Sequence, residues 1–349
     1  MRLGVTSANP LIWALAAVGW LPSPLLVAFW GMESSRALIV ASEVGLFDAL
    51  ASGPRTADEL AAATECDPHG VQTLANALTG FGYLKRRNGS YRLRRGARRW
   101  LLSDSRVSLK RPMGLLDVMW DELGDLETRV REGGSRDFHR PERDAAFWAR
   151  YLEGLGAAAA LTAPLVVRSI DVGRGRRLLD VGGGHGAFSV AMCRRHPGLH
   201  ATVLDLEPAT VVGRRLVAEA GLTDRIDFSA GDLTDAEWGE NHDVVLLFNL
   251  LHIFDTATAA AVVRRAHDAL APGGTVAILD ASHKESRGGV SAVGGGSELL
   301  FFAINDTQAY PEATLVRWVE EAGFADVRVR HTLGMPEVLI TARRCVINT

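Results

Sequence analysis

Four glycines in five residues close an apolar run in Leu179-Asp180-Val181-Gly182-Gly183-Gly184-His185-Gly186. Glycine lets a chain turn sharply off a strand and lets a ligand lie against bare backbone at the start of the next helix. From about residue 175 the same texture continues. RLLDVG, HATVLDL, RIDFSAG, DVVLLFN and TVAILDA read as strands, with helical stretches between most of them. That alternation predicts an α/β fold, a parallel sheet with crossover helices. The closing runs DVRVRHTL and EVLITARR, separated by Gly334 and Pro336, predict a terminal hairpin.

The glycine loop alone leaves two ligands open. Through Gly182, Gly184 and Ala187 it also matches a weakened dinucleotide fingerprint. The acids around it discriminate. Asp180 stands two residues before the first glycine. A pyrophosphate gains nothing from a carboxylate there, whereas a ligand with an ammonium and a sulfonium does. Asp205 ends the next strand, 19 residues past Gly186, where an acid can grip ribose hydroxyls. Gly231-Asp232-Leu233 adds a third carboxylate at the end of the third strand. Helix capping would account for any one of these acids and accounts poorly for the trio. Together they suit a cationic nucleoside amino acid.

At 349 residues the chain is longer than one compact domain usually needs, so a second domain is expected before the sheet. In GPRTADELAAAT, Thr56 and Glu59 have capping-box spacing. HGVQTLANALTGFGYL follows as a second helix, and KRRNGSYRLRRG carries the hairpin signal Asn88-Gly89. Helix, turn, helix, hairpin is a winged-helix pattern. Residues 85–111 hold eleven Lys or Arg against one acid, Asp104, which raises a DNA-binding reading. The helix that would read bases, 69–81, has no Lys or Arg, so the wing reads as structural and no nucleic-acid partner is expected.

Composition adds exclusions. A net charge of −3 with 47% hydrophobic residues is too apolar for a disordered chain and too balanced for one that coats nucleic acid. Cys66, Cys193 and Cys345 lie far apart, without zinc-type spacing, so neither a disulfide framework nor a metal site is expected, and a cytoplasmic location fits. Residues 3–32 carry no formal charge, enough length for a membrane span. Pro22 and Pro24 interrupt that run, and the reading adopted is a helix buried in a partner subunit, not a membrane anchor.

The ordered set Asp180 to Gly186, Asp205, Gly231-Asp232, Leu251-His252 and Ala271-Pro272-Gly273-Gly274 resembles the caffeic-acid-type class of S-adenosylmethionine-dependent O-methyltransferases. The likeness spans nearly the whole chain, since that family carries a winged-helix-like dimerisation domain ahead of a class I methyltransferase Rossmann-like sheet. It implies S-adenosyl-L-methionine as cofactor, held by Asp180, Gly182, Gly184, Asp205, Leu206, Gly231, Asp232, Leu233 and Phe248. It implies a homodimer and a small hydroxylated aromatic acceptor. The domains expected are a dimerisation unit over 1–110, a helical connector over 111–170 and a catalytic unit over 171–349.

By the same likeness His252, at the end of the fourth strand, removes the acceptor's proton. A neutral phenol is a poor nucleophile at pH 7, and an imidazole, ordinarily near pKa 6.5, is a workable base. Glu298 and Asp255 are the residues expected to steady it. Trp120, Phe147, Trp148, Phe301 and Phe302 are the expected acceptor wall. The sequence departs from the family at Ile253-Phe254, usually Asp-Trp, at Phe248, Lys in plant members, and at DTQAYPEATL, usually a GGRERT-type stretch. Methylation of carbon or nitrogen, with or without a metal, stays open beside O-methylation, as does a winged-helix regulator.

Overall fold

The computed structural model describes residues 18–134, 138–282, 292–331 and 337–346, with Leu11, Ala14 and Leu15. Much of the apolar 3–32 run's first half, the start of the GGVSAVGGG tract (288–291) and the Gly334–Pro336 turn therefore lie outside the described residues. The chain divides between Asp117 and Val118 into two compact units.

In the first unit, α1 (Ser23–Glu43) starts where the prolines require it: Pro22 is the N-cap and Pro24 sits in the first turn, where a missing N–H costs nothing. Gly45, at φ 74°, turns the chain into α2 (Leu46–Ala49). The capping box opens α3 (Ala57–Thr64): Thr56 Oγ1 accepts from the Glu59 N–H at 3.3 Å and Glu59 Oε2 accepts from the Thr56 N–H at 2.7 Å. Asp67 caps α4 (Pro68–Gly80), its Oδ2 accepting from the Gly70 N–H at 2.7 Å. Strands β1 (Leu84–Arg87) and β2 (Ser90–Leu93) pair antiparallel across Asn88 and Gly89, both at positive φ, as a tight two-residue hairpin requires. The helices α5 (Arg95–Leu101) and α6 (Lys110–Gly124) follow, and the unit boundary falls within α6. Phe47, Leu50, Leu60, Leu78, Leu84 and Tyr91 are fully buried at its centre.

The apolar N-terminal half of α1 does not join that core. Leu25, Val27, Phe29, Trp30 and Met32 are all exposed within the single chain. By length and composition alone α1 could cross a bilayer, and only 17% of its most apolar stretch is buried.

The second unit contains α7 (Leu126–Glu132) and α8 (Ala145–Val166) and then the expected sheet. In chain order it comprises β3 (Arg177–Val181), α9 (Ala187–Arg195), β4 (His200–Asp205), α10 (Glu207–Glu219), β5 (Ile226–Ala230), β6 (His242–Phe248), α11 (Thr256–Ala269), β7 (Leu270–Ala281), α12 (Ala292–Asn305), α13 (Glu312–Glu321), β8 (Phe324–His331) and β9 (Glu337–Arg344). The strand order is β5-β4-β3-β6-β7-β9-β8. The first five strands are parallel, and β9 and β8 complete the edge antiparallel. One apolar cluster packs α11 and α13 onto one face, and a second packs α8 and α9 onto the other. The strand order reverses between β3 and β6, and the carboxyl ends there form the crevice where such sheets bind ligands.

Candidate active site

The glycine loop sits in that crevice, and its glycines are required by contact. A Cβ on Gly183 would stand 2.5 Å from Asp180 Cγ. One on Gly184 would stand 2.9 Å from Leu152 Cδ2 on α8 and 3.1 Å from Asp205 Oδ2. The Gly184 N–H donates to Asp205 Oδ2 at 2.8 Å, and the Leu206 N–H donates to Asp205 Oδ1 at 2.7 Å. The loop and the second acid are thus one unit. Burial still dominates at Asp205 and pushes its carboxyl up to about 6.

Asp180 is 1% exposed. Ser189 Oγ donates to its Oδ2 at 2.6 Å, while its Oδ1 has no partner. Burial raises this carboxyl to about 7. A buried acid and a half-buried one, both short of compensating charge, the first with an unpartnered oxygen beside a bare-backbone loop, fit a ligand that brings hydroxyls and positive charge. Asp232, beyond β5, is exposed, and its Oδ1 accepts from the Thr234 N–H and hydroxyl. Leu233 is buried against Trp238, and Phe248 packs edge-on to Phe188, ring centroids 4.7 Å apart. His185 accepts from the Ala187 N–H at 3.0 Å, and burial lowers it to about 4, so it stays neutral within the loop.

His252 lies in a 3-10 turn, Leu251–Ile253, directly after β6. Its Nδ1 is 2.6 Å from Asp280 Oδ1, at the end of the neighbouring strand β7. Asp280 Oδ2 accepts the backbone N–H groups of Leu251 at 2.8 Å and His252 at 3.3 Å. A carboxylate can only accept, so the imidazole proton rests on Nδ1 and the Nε2 lone pair is left for chemistry. Phe301 stacks on the ring, centroids 3.8 Å apart and planes 14° from parallel. The Tyr310 hydroxyl donates to the Phe254 carbonyl at 2.7 Å and pins the segment after the turn.

The residues expected to steady His252 are placed otherwise. Asp255 is the N-cap of α11, its oxygens accepting from Ala257, Thr258 and the Thr258 hydroxyl. Glu298 lines a cavity of about 630 Å³ with Phe254, Asp255, Phe302, Asp306 and Tyr310. The residue on Nδ1 is Asp280, which sequence reasoning missed. A signal for it existed: it closes the apolar strand TVAILDA at the same sheet edge as the other three acids. Glu337 was also missed. It opens β9 opposite Ala281, its Oε2 is buried without a partner, and burial raises its carboxyl beside Asp280.

Of the expected acceptor wall, Phe301 and Phe302 lie on α12 beside His252 and the cavity respectively. Phe147 and Trp148 lie on α8 in an aromatic group with Phe138, His139 and Tyr151. Trp148 packs on Ala209 and Val212 of α10, and its indole N–H has no partner. Trp120 lies on α6. Among the described residues no group of three or more His, Cys, Asp or Glu is arranged to hold a metal ion.

Residues 117–325 match the model of the O-methyltransferase domain, and residues 28–103 match that of the O-methyltransferase dimerisation domain. The chain is 31% identical to 3-hydroxy-5-methyl-1-naphthoate 3-O-methyltransferase of Streptomyces sahachiroi, over 85% of this chain and 88% of that protein. It is 29% identical to the tetracenomycin polyketide synthesis 8-O-methyl transferase TcmO of Streptomyces glaucescens, over 92% and 95%. Among solved structures, PigF with SAH is 25% identical and superposes with a TM-score of 0.80 over 92% of this chain and 98% of that one. Human N-acetylserotonin methyltransferase in complex with SAM, at 22% identity, shares the fold with a TM-score of 0.83 over 98% and 100%.

Proposed function

The chain belongs to the S-adenosylmethionine-dependent O-methyltransferase family, and from that premise we propose that it methylates a hydroxyl of a small aromatic metabolite with His252 as general base. S-adenosyl-L-methionine supplies the methyl group, carried on a sulfonium. Asp180, Gly182, Gly184, Asp205, Leu206, Gly231, Asp232, Leu233 and Phe248 hold that cofactor. Asp205 takes the ribose hydroxyls, and the loop glycines let it lie against backbone.

The observation that carries the base assignment is the His252–Asp280 contact at 2.6 Å. It fixes the tautomer, so Nε2 accepts the acceptor's hydroxyl proton as the oxygen becomes a nucleophile, and Asp280 stabilises the imidazolium that forms. Phe301 holds the ring from one face and offers an apolar wall to an aromatic acceptor. The rest of the acceleration comes from positioning, because methyl transfer is an in-line displacement. Relatives named for naphthoate and polyketide substrates support an aromatic acceptor. A homodimer is supported by the dimerisation-domain match and by the uncovered apolar half of α1.

The test is methyl transfer from labelled donor to a panel of hydroxylated aromatics, run with the native enzyme and His252→Ala. The expected result is transfer by the native enzyme and a loss of about 10²–10⁴ in turnover for the variant, with affinity for S-adenosylhomocysteine retained. Unchanged turnover in His252→Ala overturns the base assignment and favours a carbon or nitrogen acceptor.

A further inference from the structure

One face of the hairpin in the first unit is charged and unanswered. Leu84 pairs with Leu93 and Arg86 with Tyr91, and this side packs on the unit's core. Arg86 is held there: its guanidinium lies 5.4 Å from the Tyr91 ring and reaches Asn76 Oδ1 at 3.5 Å. Side chains alternate along a strand, so Lys85, Arg87, Ser90 and Arg92 turn outward. Lys85 stands directly opposite Arg92 in the ladder, a like-charge pair that weakens a hairpin. Lys85, Arg87 and Arg92 are exposed, and none makes an ion pair among the described residues. Other cations of the unit are used internally. Arg36 pairs with Asp117 and Lys110 with Asp48, while Arg94 and Arg98 donate to the carbonyls of Leu84 and Ala51.

The three cations act together. Residues two apart on a strand lie about 7 Å apart and neighbouring strands about 5 Å, within the Debye length of about 8 Å at physiological salt. The whole chain carries a net charge of −3, so attraction for an anion belongs to this face and not to the protein's overall field. A nucleic-acid duplex matches it poorly. Asp58, Glu59, Glu65 and Asp67 are exposed on the two helices that precede the hairpin, and α4 has no Lys or Arg. A phosphate backbone laid across the unit meets those acids. A second copy on a two-fold axis through the hairpin sets cation on cation. A protein segment whose acids are confined to one short stretch meets the cations and avoids the acids.

We propose that the outward face of the β1–β2 hairpin docks an acidic helix of another protein, with Lys85, Arg87 and Arg92 as its contacts. Carboxylates at i and i+4 of a helix lie about 6 Å apart, close to the spacing of Lys85 and Arg87. A carboxylate seated between Lys85 and Arg92 turns their repulsion into attraction. The surface stands apart from methyl transfer, because the proposed cofactor and base residues all lie in the second unit.

The full-length protein is titrated, by fluorescence anisotropy, into a labelled helical peptide with Glu at successive i, i+4 positions of one face. The peptide should bind at micromolar protein and weaken tenfold or more between about 50 and about 300 mM salt, and its Gln counterpart should not bind. Lys85→Glu is the decisive variant. It replaces a like-charge pair with an opposite one, so Tm should hold or rise while the peptide binds tenfold or more weakly. Arg328→Glu with Arg330→Glu, two exposed cations of β8, alters the net charge further and should leave peptide binding unchanged. S-adenosylhomocysteine affinity should stay native in every variant. No binding of the Glu peptide, equal binding of the Gln peptide, full affinity in Lys85→Glu, or an equal loss in the β8 variant overturns the proposal. So does tighter binding of random duplex DNA, which makes nucleic acid the occupant. A salt-sensitive assembly larger than a dimer overturns it too, by making the occupant a second copy.

Discussion

His252 and Asp280 meet at 2.6 Å from the ends of adjacent parallel strands, and the same carboxylate accepts the backbone N–H groups of Leu251 and His252. One side chain therefore sets the ring's tautomer, its orientation and the turn that carries it. Asp280→Asn keeps the shape and replaces an obligate acceptor with a group that can donate. Turnover should fall by about 10²–10⁴, with S-adenosylhomocysteine affinity within twofold of native. Because the two residues act as a unit, the double variant with His252→Ala should be no slower than His252→Ala alone. Additive losses in steady-state assays would show that Asp280 acts elsewhere.

Cofactor affinity should depend on pH through the two acids at the loop, Asp180 and Asp205. Asp205, pushed up to about 6, and Asp180, about 7, take up protons in the free enzyme as pH falls. A ligand that needs the ionised form lowers those values, so binding releases protons and affinity weakens in acid. S-adenosylhomocysteine affinity should be flat above about pH 7.5 and fall between 7 and 5, by up to about tenfold per pH unit per acid. Asp205→Asn should bind weakly at every pH and show a shallower slope. A pH-independent affinity from 5 to 8 by calorimetry refutes the role of both acids.

The free enzyme should behave differently. His139 and His185, each lowered to about 4 by burial, are protonated in the unfolded chain below about 6.5 but not in the folded one, so stability is lost as pH falls from 6.5 towards 4. Asp180 and Asp205 have the opposite sign: raised in the folded state, they bind protons there first and add stability over the same range. The two effects oppose each other in the free enzyme. With cofactor bound the acids are ionised and only the histidine loss remains. The rise in Tm given by saturating S-adenosylhomocysteine should therefore shrink by half or more between pH 7.5 and 5.5, as scanning calorimetry would show. A constant rise contradicts the assignment.

What was legible in the sequence was whatever is written locally. The capping box at Thr56–Glu59, the Asn88-Gly89 hairpin and the glycine loop each sit within a few residues, and each is formed as its spacing implies. The spacing of Asp205 from the loop was legible because acid and loop keep a regular distance along one strand–helix–strand unit, and the two meet at the Gly184 N–H. Asp280 was missed because its partner is 28 residues away across a strand pairing, and an acid ending an apolar strand looks like any turn residue. His139 lay in a polar stretch that resembles a loop between helices. Its partner Tyr151 comes from helix α8, and only the fold brings the two together.

Gly213 exposes a dependence on packing that no motif records. A Cβ there would stand 2.1 Å from the Gly184 carbonyl oxygen and 2.4 Å from Phe228 Cε1. Helix α10 thus rests directly on the cofactor loop, and neither backbone nor a buried ring can give way cheaply. Gly213→Ala should cost about 3 kcal/mol and lower Tm by several degrees. It should also weaken S-adenosylhomocysteine, because the displaced atom belongs to the loop itself. Native-like Tm and affinity would mean that α10 shifts freely.

The first half of α1 supplies the test of assembly. Phe29 at 52% exposed, Trp30 at 49% and Met32 at 54% leave an apolar face exposed among the described residues. Burying each such side chain is worth about 1.5–3 kcal/mol, so two-fold pairing of this face would outweigh the cost of association where isolated contacts would not. A homodimer built on α1 should sediment as such at micromolar concentration, and Phe29→Asp with Trp30→Glu should release monomers. The pair should leave S-adenosylhomocysteine affinity intact, because the proposed cofactor residues all lie in the second unit. A native monomer, or a dimer indifferent to both charges, rules out α1 as the interface. Recovery of the chain only in detergent-solubilised membranes would instead favour insertion of α1 into a bilayer.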